Sequence, residues 1–177
     1  MDAIEAILTR RSVRNYTDAP VPEDTIQLLL EAAVSAPSAG NQQAWQFIVI
    51  EDREILKRIP SVHPYSGMLN HAPLAIVVCG DLSRERFGGG YWVQDCSAAT
   101  QNILLAARAS GLGAVWLGVY PLEDCVVGLQ KLLDMPESVI PLSLISIGFP
   151  AVEQGRVDRY DAGRIHRNQW RKTIGTP

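Results

Sequence analysis

The sequence predicts an α+β fold: about four strands interleaved with helices, forming a sheet covered on both faces by helical layers. Two observations carry this reading. Continuous apolar, β-branched runs such as Leu74–Cys79 mark buried strands, whose two covered faces remove the usual polar alternation. Between such runs lie segments whose apolar residues recur at helical spacing, the longest from Tyr91 to Ser110. A chain of 177 residues suits one domain with a sizeable core. No internal repeat, low-complexity tract or second domain appears, so residues 1–150 read as a single domain and residues 151–177 as its C-terminal extension.

The elements follow in order. Ala3, Ile4, Ile7 and Leu8 are spaced as a helix, and Arg10 and Arg11 follow where positive charge suits the helix dipole. Ser12-Val13-Arg14 breaks the pattern, and Pro20 and Pro22 mark a turn. Glu23 and Asp24 open a second helix with the apolar face Ile26, Leu29, Leu30, Ala33 and Val34. Residues 37–41 are a loop by composition, residues 47–50 a strand, and residues 52–59 a short helix ended by Pro60. The Leu74–Cys79 strand leads through a flexible segment containing Gly88, Gly89 and Gly90 into the long helix, which Gly111 stops. Residues 114–120 form a third strand, 123–133 a helix and 142–147 a fourth strand, with Pro141 near its start where a missing N–H is tolerated. Beyond Pro150 the pattern fails, leaving Tyr160, Ile165 and Trp170 as isolated apolar anchors.

Composition excludes several function classes. The chain is 47% hydrophobic and 20% charged, as in ordinary soluble proteins, and its net charge of −3 argues against nucleic-acid binding. Charge is uneven, however: residues 1–150 carry 10 basic and 16 acidic side chains, and residues 151–177 carry 6 and 3. Such a basic tail is either solvated, or in contact with another subunit, or supplies arginines to an anion. Cys79, Cys96 and Cys125 show neither a disulfide framework nor metal-ligand spacing, so no metal site is expected and a reducing cytoplasm is. The N-terminus lacks a signal pattern, and the apolar runs are too short to span a bilayer. No P-loop, HExxH or GxSxG occurs, and Gly111-Leu112-Gly113 follows a helix and precedes a strand, the reverse of a dinucleotide fingerprint. His63, His71 and His166 have no evident partners and read as surface or loop residues.

Four clusters remain. Arg10, Arg11, Ser12 and Arg14 supply guanidiniums and a hydroxyl at a helix end, as a phosphate clamp requires, although basic residues are common at helix C-termini. Residues 37–45 supply a hydroxyl, carboxamides and backbone groups able to read the edge of a heterocycle, and would otherwise be a polar loop before a strand. Trp116, Leu117 and Gly118 end a strand where a glycine permits close approach to a flat ligand, or simply bulges. Arg156 and Arg159, after the Gly148-Phe149-Pro150 exit, complete a phosphate site or are solvated tail charge.

Taken in order, RRSVR, PSAGNQQ before Trp45, QDCSAATQNILLAA, GLGAVWLG and GFP followed by arginines resemble the nitroreductase family from residue 1 to about 170, in its compact version. The resemblance implies an α+β sandwich with a central, mostly antiparallel sheet. It also implies a homodimer with FMN in the subunit interface and the C-terminal segment laid over the partner. On the same basis Arg10, Arg11, Ser12 and Arg14 meet the FMN phosphate and ribityl chain, with Arg159 or its rival Arg156 as the C-terminal phosphate partner. Pro37, Ser38, Ala39 and Asn41 approach the flavin from the partner subunit. Trp116, Leu117 and Gly118 flank the isoalloxazine, the Gly118 N–H near N5. Two departures from the enteric enzymes concern the substrate mouth: the short, glycine-rich residues 81–91, and Gly118 where those enzymes carry an acidic side chain.

The activity implied is transfer of hydride from NADH or NADPH through flavin N5 to a small-molecule electron acceptor such as a nitroaromatic or a quinone. The flavin carries the redox chemistry, so no catalytic side chain is assigned. The alternatives are a flavin-binding or sensing module without turnover, and a specialised branch acting as a dehalogenase or enoyl-type reductase.

Overall fold

The computed structural model describes residues 1–170; residues 171–177, the end of the predicted extension, lie outside the described residues. Strands β1 (Trp45–Ile50), β2 (Leu74–Asp81), β3 (Gly113–Gly118) and β4 (Val139–Gly148) form one sheet in the order β1-β2-β4-β3. Every pairing within it is antiparallel. Helices α1 (Ala3–Thr9), α2 (Glu23–Val34), α3 (Arg53–Arg58), α4 (Tyr91–Ala109) and α5 (Glu123–Leu132) surround it.

The sheet separates two apolar cores. Leu74, Ile76 and Val78 of β2 face α2 and α4, whereas Ala75, Val77 and Cys79 face α3 and α5. Period-two alternation therefore aims every residue of this central strand at some core, which is why β2 reads as an unbroken apolar run. On α4, Trp92, Cys96, Ala99, Ile103 and Ala107 recur at helical spacing and lie buried against one face. The register between β2 and β4 slips by one residue at Val78/Cys79, opposite Pro141, where the ladder lacks a donor.

The α3 helix ends at Arg58, ahead of Pro60 as the sequence implies, and a separate 3-10 turn follows over Ile59–Ser61 with the proline in its first turn, where no N–H is needed. The α1 residues Ile4, Ile7 and Leu8 are not packed within the chain; they are 65, 51 and 42% exposed, and only Ala6 is buried. Val34, expected on the buried face of α2, is likewise exposed. Over residues 151–170 the chain forms no helix or strand apart from a 3-10 turn at Ala162–Arg164, and Tyr160 and Trp170 stand in solvent.

Candidate functional site

Residues 10–14 join two cavities, one between the end of α1 and the C-terminal tail, the other at the end of β3. Val13 N–H donates to Ala114 O at 3.0 Å, and Ser12 bridges Ala114 in parallel fashion, so this segment runs beside the strand. Val13 is buried against Gly113, where a Cβ would lie 2.7 Å from the valine side chain. The segment thus leaves Arg10 and Arg11 at one cavity and Arg14 at the other.

The first cavity, of about 320 Å³, is lined by Arg10, Arg11, Arg156, Arg159, Ile7, Leu8, Val157, Asp158 and Tyr160. Burial, then repulsion from Arg159 and Arg11, depresses the pKa of Arg10 below its ordinary value. Arg11 Nη1 donates to Gly155 O at 3.0 Å. None of these four arginines takes part in a salt bridge among the described residues. Asp158 instead caps its own turn, accepting from the Tyr160 N–H at 3.0 Å. Guanidiniums gathered at this density without paired carboxylates suit an anion with several oxygens.

The second cavity, of about 380 Å³, is lined by Arg14, His63, Tyr65, Met68, Trp116, Leu117 and Gly118. β3 is an edge strand, and alternate residues turn their backbone groups away from β4. Ala114 O points outward to Val13 and Gly118 O points outward to His63, so 114, 116 and 118 are the outward-turned residues. A Cβ built on Gly118 meets nothing within 4 Å, unlike those on Gly80, Gly113 and Gly148, which strike Trp92, Val13 and Pro73. Nothing within the chain requires glycine at 118; the space beside it belongs to the cavity.

Residues 37–43 do not line either cavity. The loop is fastened to α4 through Asp95, whose carboxylate accepts from the Ala39 N–H at 2.9 Å and from Gln42 Nε2 at 2.8 Å. Gln42 Oε1 accepts in turn from the Arg86 N–H at 3.0 Å. Gly40, Asn41 and Gln43 all have positive φ, a backbone conformation that persists only where the surroundings over-determine it.

His63 and Asp95 were not singled out from the sequence. His63, expected at the surface, is 1% exposed, and its Nε2 lies 3.0 Å from Gly118 O. No local signal marks it, because its partner is 55 residues away. Asp95 did leave a signal: a carboxylate on the α4 face that carries Trp92, Ala99 and Ile103 is out of place unless it is hydrogen-bonded. Among the described residues no helix is long and apolar enough to cross a membrane, and no group of His, Cys, Asp or Glu is placed to hold a metal ion.

These features define a class: an antiparallel α+β sandwich that offers a cationic cavity, and an open cleft at its sheet edge, to a ligand with an anionic end and a flat body. Comparison with known proteins gives the family. The sequence model of the nitroreductase family matches residues 7–63 and 59–149. A Methanothermobacter thermautotrophicus protein, named as a candidate NADH dehydrogenase/NAD(P)H nitroreductase, is 55% identical over 170 residues, covering 96% of this chain and 88% of its own. A solved structure of the same description from Bacteroides thetaiotaomicron superposes with a TM-score of 0.91 at 43% identity, over 95% of this chain and 98% of that one. A candidate nitroreductase from Desulfovibrio desulfuricans, solved in complex with FMN, superposes with a TM-score of 0.82 at 30% identity, over 96% and 98%. This chain belongs to the nitroreductase family.

Proposed function

We propose that this protein is an FMN-dependent oxidoreductase that takes electrons from NADH or NADPH and delivers them to a small-molecule acceptor such as a nitroaromatic or a quinone. The observation that carries the reading is the cavity in which Arg10, Arg11, Arg156 and Arg159 meet without salt-bridge partners, one short segment away from the Gly118 cleft. Family membership supports it, since a relative has been solved with FMN and another is named for NAD(P)H.

The residues fit that cofactor on two counts: unpaired guanidiniums suit a phosphate, and the open space at Gly118 suits the close approach of a flat ring. When bound, FMN supplies two-electron transfer between nicotinamide and acceptor. Arg10 and Arg11, with Arg159 or Arg156, hold the phosphate; Ser12 and Arg14 serve the ribityl chain. Trp116, Leu117 and Gly118 lie along the ring. No side chain is assigned as a general acid or base.

The protein acts as a homodimer in this reading. Ile4, Ile7 and Leu8 of α1 and Val157 and Tyr160 of the tail are exposed within the chain, which leaves apolar area for a partner to cover. Pro37, Ser38, Ala39 and Asn41, remote from the chain's own two cavities, serve the partner's flavin. Residues 1–150 then form the binding domain and residues 151–177 its cover on the partner. Three buried cysteines, all free, fit a reducing cytoplasm.

The test is the visible spectrum of the purified protein, followed by anaerobic addition of NADH and then NADPH. A bound flavin spectrum that bleaches with either donor is the expected result. A protein that takes up no flavin even after incubation with FMN would overturn the reading.

A further inference from the structure

We propose that His63 is a positioning residue, held with its proton on Nε2, which fixes the Gly118–Val119 peptide and thereby presents the outward edge of Gly118 to the ligand cleft. The inference rests on the flavin reading for the identity of that ligand.

The geometry begins with the acceptor. Gly118 O has lone pairs and no proton, so a hydrogen bond at 3.0 Å to His63 Nε2 requires the proton on that nitrogen. The same peptide unit is held on its other side, where the Val119 N–H donates to Leu142 O of β4 at 3.0 Å. The peptide after Gly118 is therefore clamped at both ends of its dipole, by the sheet on one side and by imidazole on the other. A glycine at a strand end has more backbone freedom than any other residue, and these two bonds remove it. The ring itself is set by its own backbone: the His63 N–H donates to Ile59 O at 3.0 Å, and His63 O accepts from the Ser66 hydroxyl at 2.7 Å.

Packing alone does not account for the residue. His63 is 1% exposed, and its Nδ1 is buried with no hydrogen-bond partner among the described residues. An orphaned buried polar atom is destabilising. Met68, Leu117 and Tyr65, whose ring centroid is 6.3 Å away, line the same cavity wall, and a leucine at 63 would carry no nitrogen to leave unpaired. A buried histidine with one orphaned nitrogen is explained by what its other nitrogen does, and here that nitrogen meets Gly118, the glycine whose open side faces the cleft.

The experiment uses the full-length protein, unmodified and as His63→Gln and His63→Leu. Glutamine retains an amide N–H able to reach Gly118 O; leucine retains volume only. Three quantities are read: FMN affinity by titration of the apoprotein, amide exchange at Val119, and the ring tautomer by long-range proton–nitrogen NMR of the unmodified chain. We expect the proton on Nε2, faster exchange at Val119 in His63→Leu, and FMN binding weakened about tenfold in His63→Leu and restored to within about threefold in His63→Gln. A purely structural role would shift the melting temperatures of the variants while leaving the FMN affinity of the folded protein alone, and that result overturns the proposal. A proton on Nδ1, or unchanged Val119 exchange in His63→Leu, overturns it as well. If the unmodified chain binds no FMN, the flavin reading fails separately, and the tautomer and the exchange rate still decide the role of His63.

Discussion

At the scale of single residues, Gly118 separates the needs of the chain from the needs of its ligand. A methyl group there meets open space, and no positive φ is recorded at this position. Alanine should therefore fold as well as glycine, with a slight gain from lower unfolded-state entropy. The methyl group would instead occupy the space that a flat ligand needs. We expect Gly118→Ala to keep or raise the thermal midpoint while weakening FMN binding about tenfold or more, measured by flavin titration of the apoprotein. An unchanged affinity would remove Gly118 from the site. The contrasting case is Gly113, where a Cβ would strike Val13 and disturb the segment that carries Arg10 to Arg14.

Among the elements, the α4–loop junction is held by a side-chain hydrogen-bond network through Asp95 and Gln42. Asp95 is 4% exposed, has two donors aimed at it, and pairs with no cation among the described residues. Gln42 cannot turn its amide to suit a changed partner, because its Oε1 is already committed to the Arg86 N–H. Asp95→Asn puts an N–H₂ group where an acceptor is needed, opposite either the Ala39 N–H or Gln42 Nε2. The expected loss is about 1–3 kcal/mol of stability by urea unfolding, with new protease cleavage within residues 38–43, whose left-handed residues would lose their clamp. Equal stability and an uncut loop would show that the carboxylate is dispensable. Because the 82–90 segment is tied in through Arg86, its protection should fall as well.

For the whole molecule, a partly buried phenol and two buried thiols tie stability to alkaline pH. The Tyr16 hydroxyl donates to Val13 O at 2.6 Å and lies 3.1 Å from Ser146 O, fastening the 10–16 segment to β4. Burial pushes its pKa from 10.0 to about 12, against the opposing charge of Arg14. Burial likewise raises Cys79 from 9.0 to about 12, and raises Cys96 with added repulsion from Cys79 and Asp95. Each group holds its proton more tightly folded than unfolded. Their contribution is therefore full below the unfolded pKa values, near 9 for the thiols and 10 for the phenol, and is lost as pH rises towards about 12. Each group changes the slope by up to about 1.4 kcal/mol per pH unit. Urea unfolding should show lower stability at about pH 10.5 than at about pH 8, with a shallower fall above pH 10 in Tyr16→Phe. A flat profile across that range would contradict the burial of these groups.

The sequence by itself determined the elements and the class of fold. Helical spacing in α2 and α4 and the apolar runs of β2 and β4 depend on neighbours only a few residues away, and periodicity records those neighbours directly. The order of motifs also determined the family and the arginines worth watching. Tertiary structure decided what periodicity cannot encode. It separated Arg14 from Arg10 and Arg11, because residues 10–14 run extended beside β3 rather than curling into a single clamp. It left Ile4, Ile7 and Leu8 uncovered, since an apolar stripe specifies that a face is to be buried but not which chain buries it. It also brought His63 to Gly118 across 55 residues and Asp95 to Ala39 across 56. A hydrogen bond across such a distance depends on where the sheet and helices place the two ends, and neither end carries a local mark of the other.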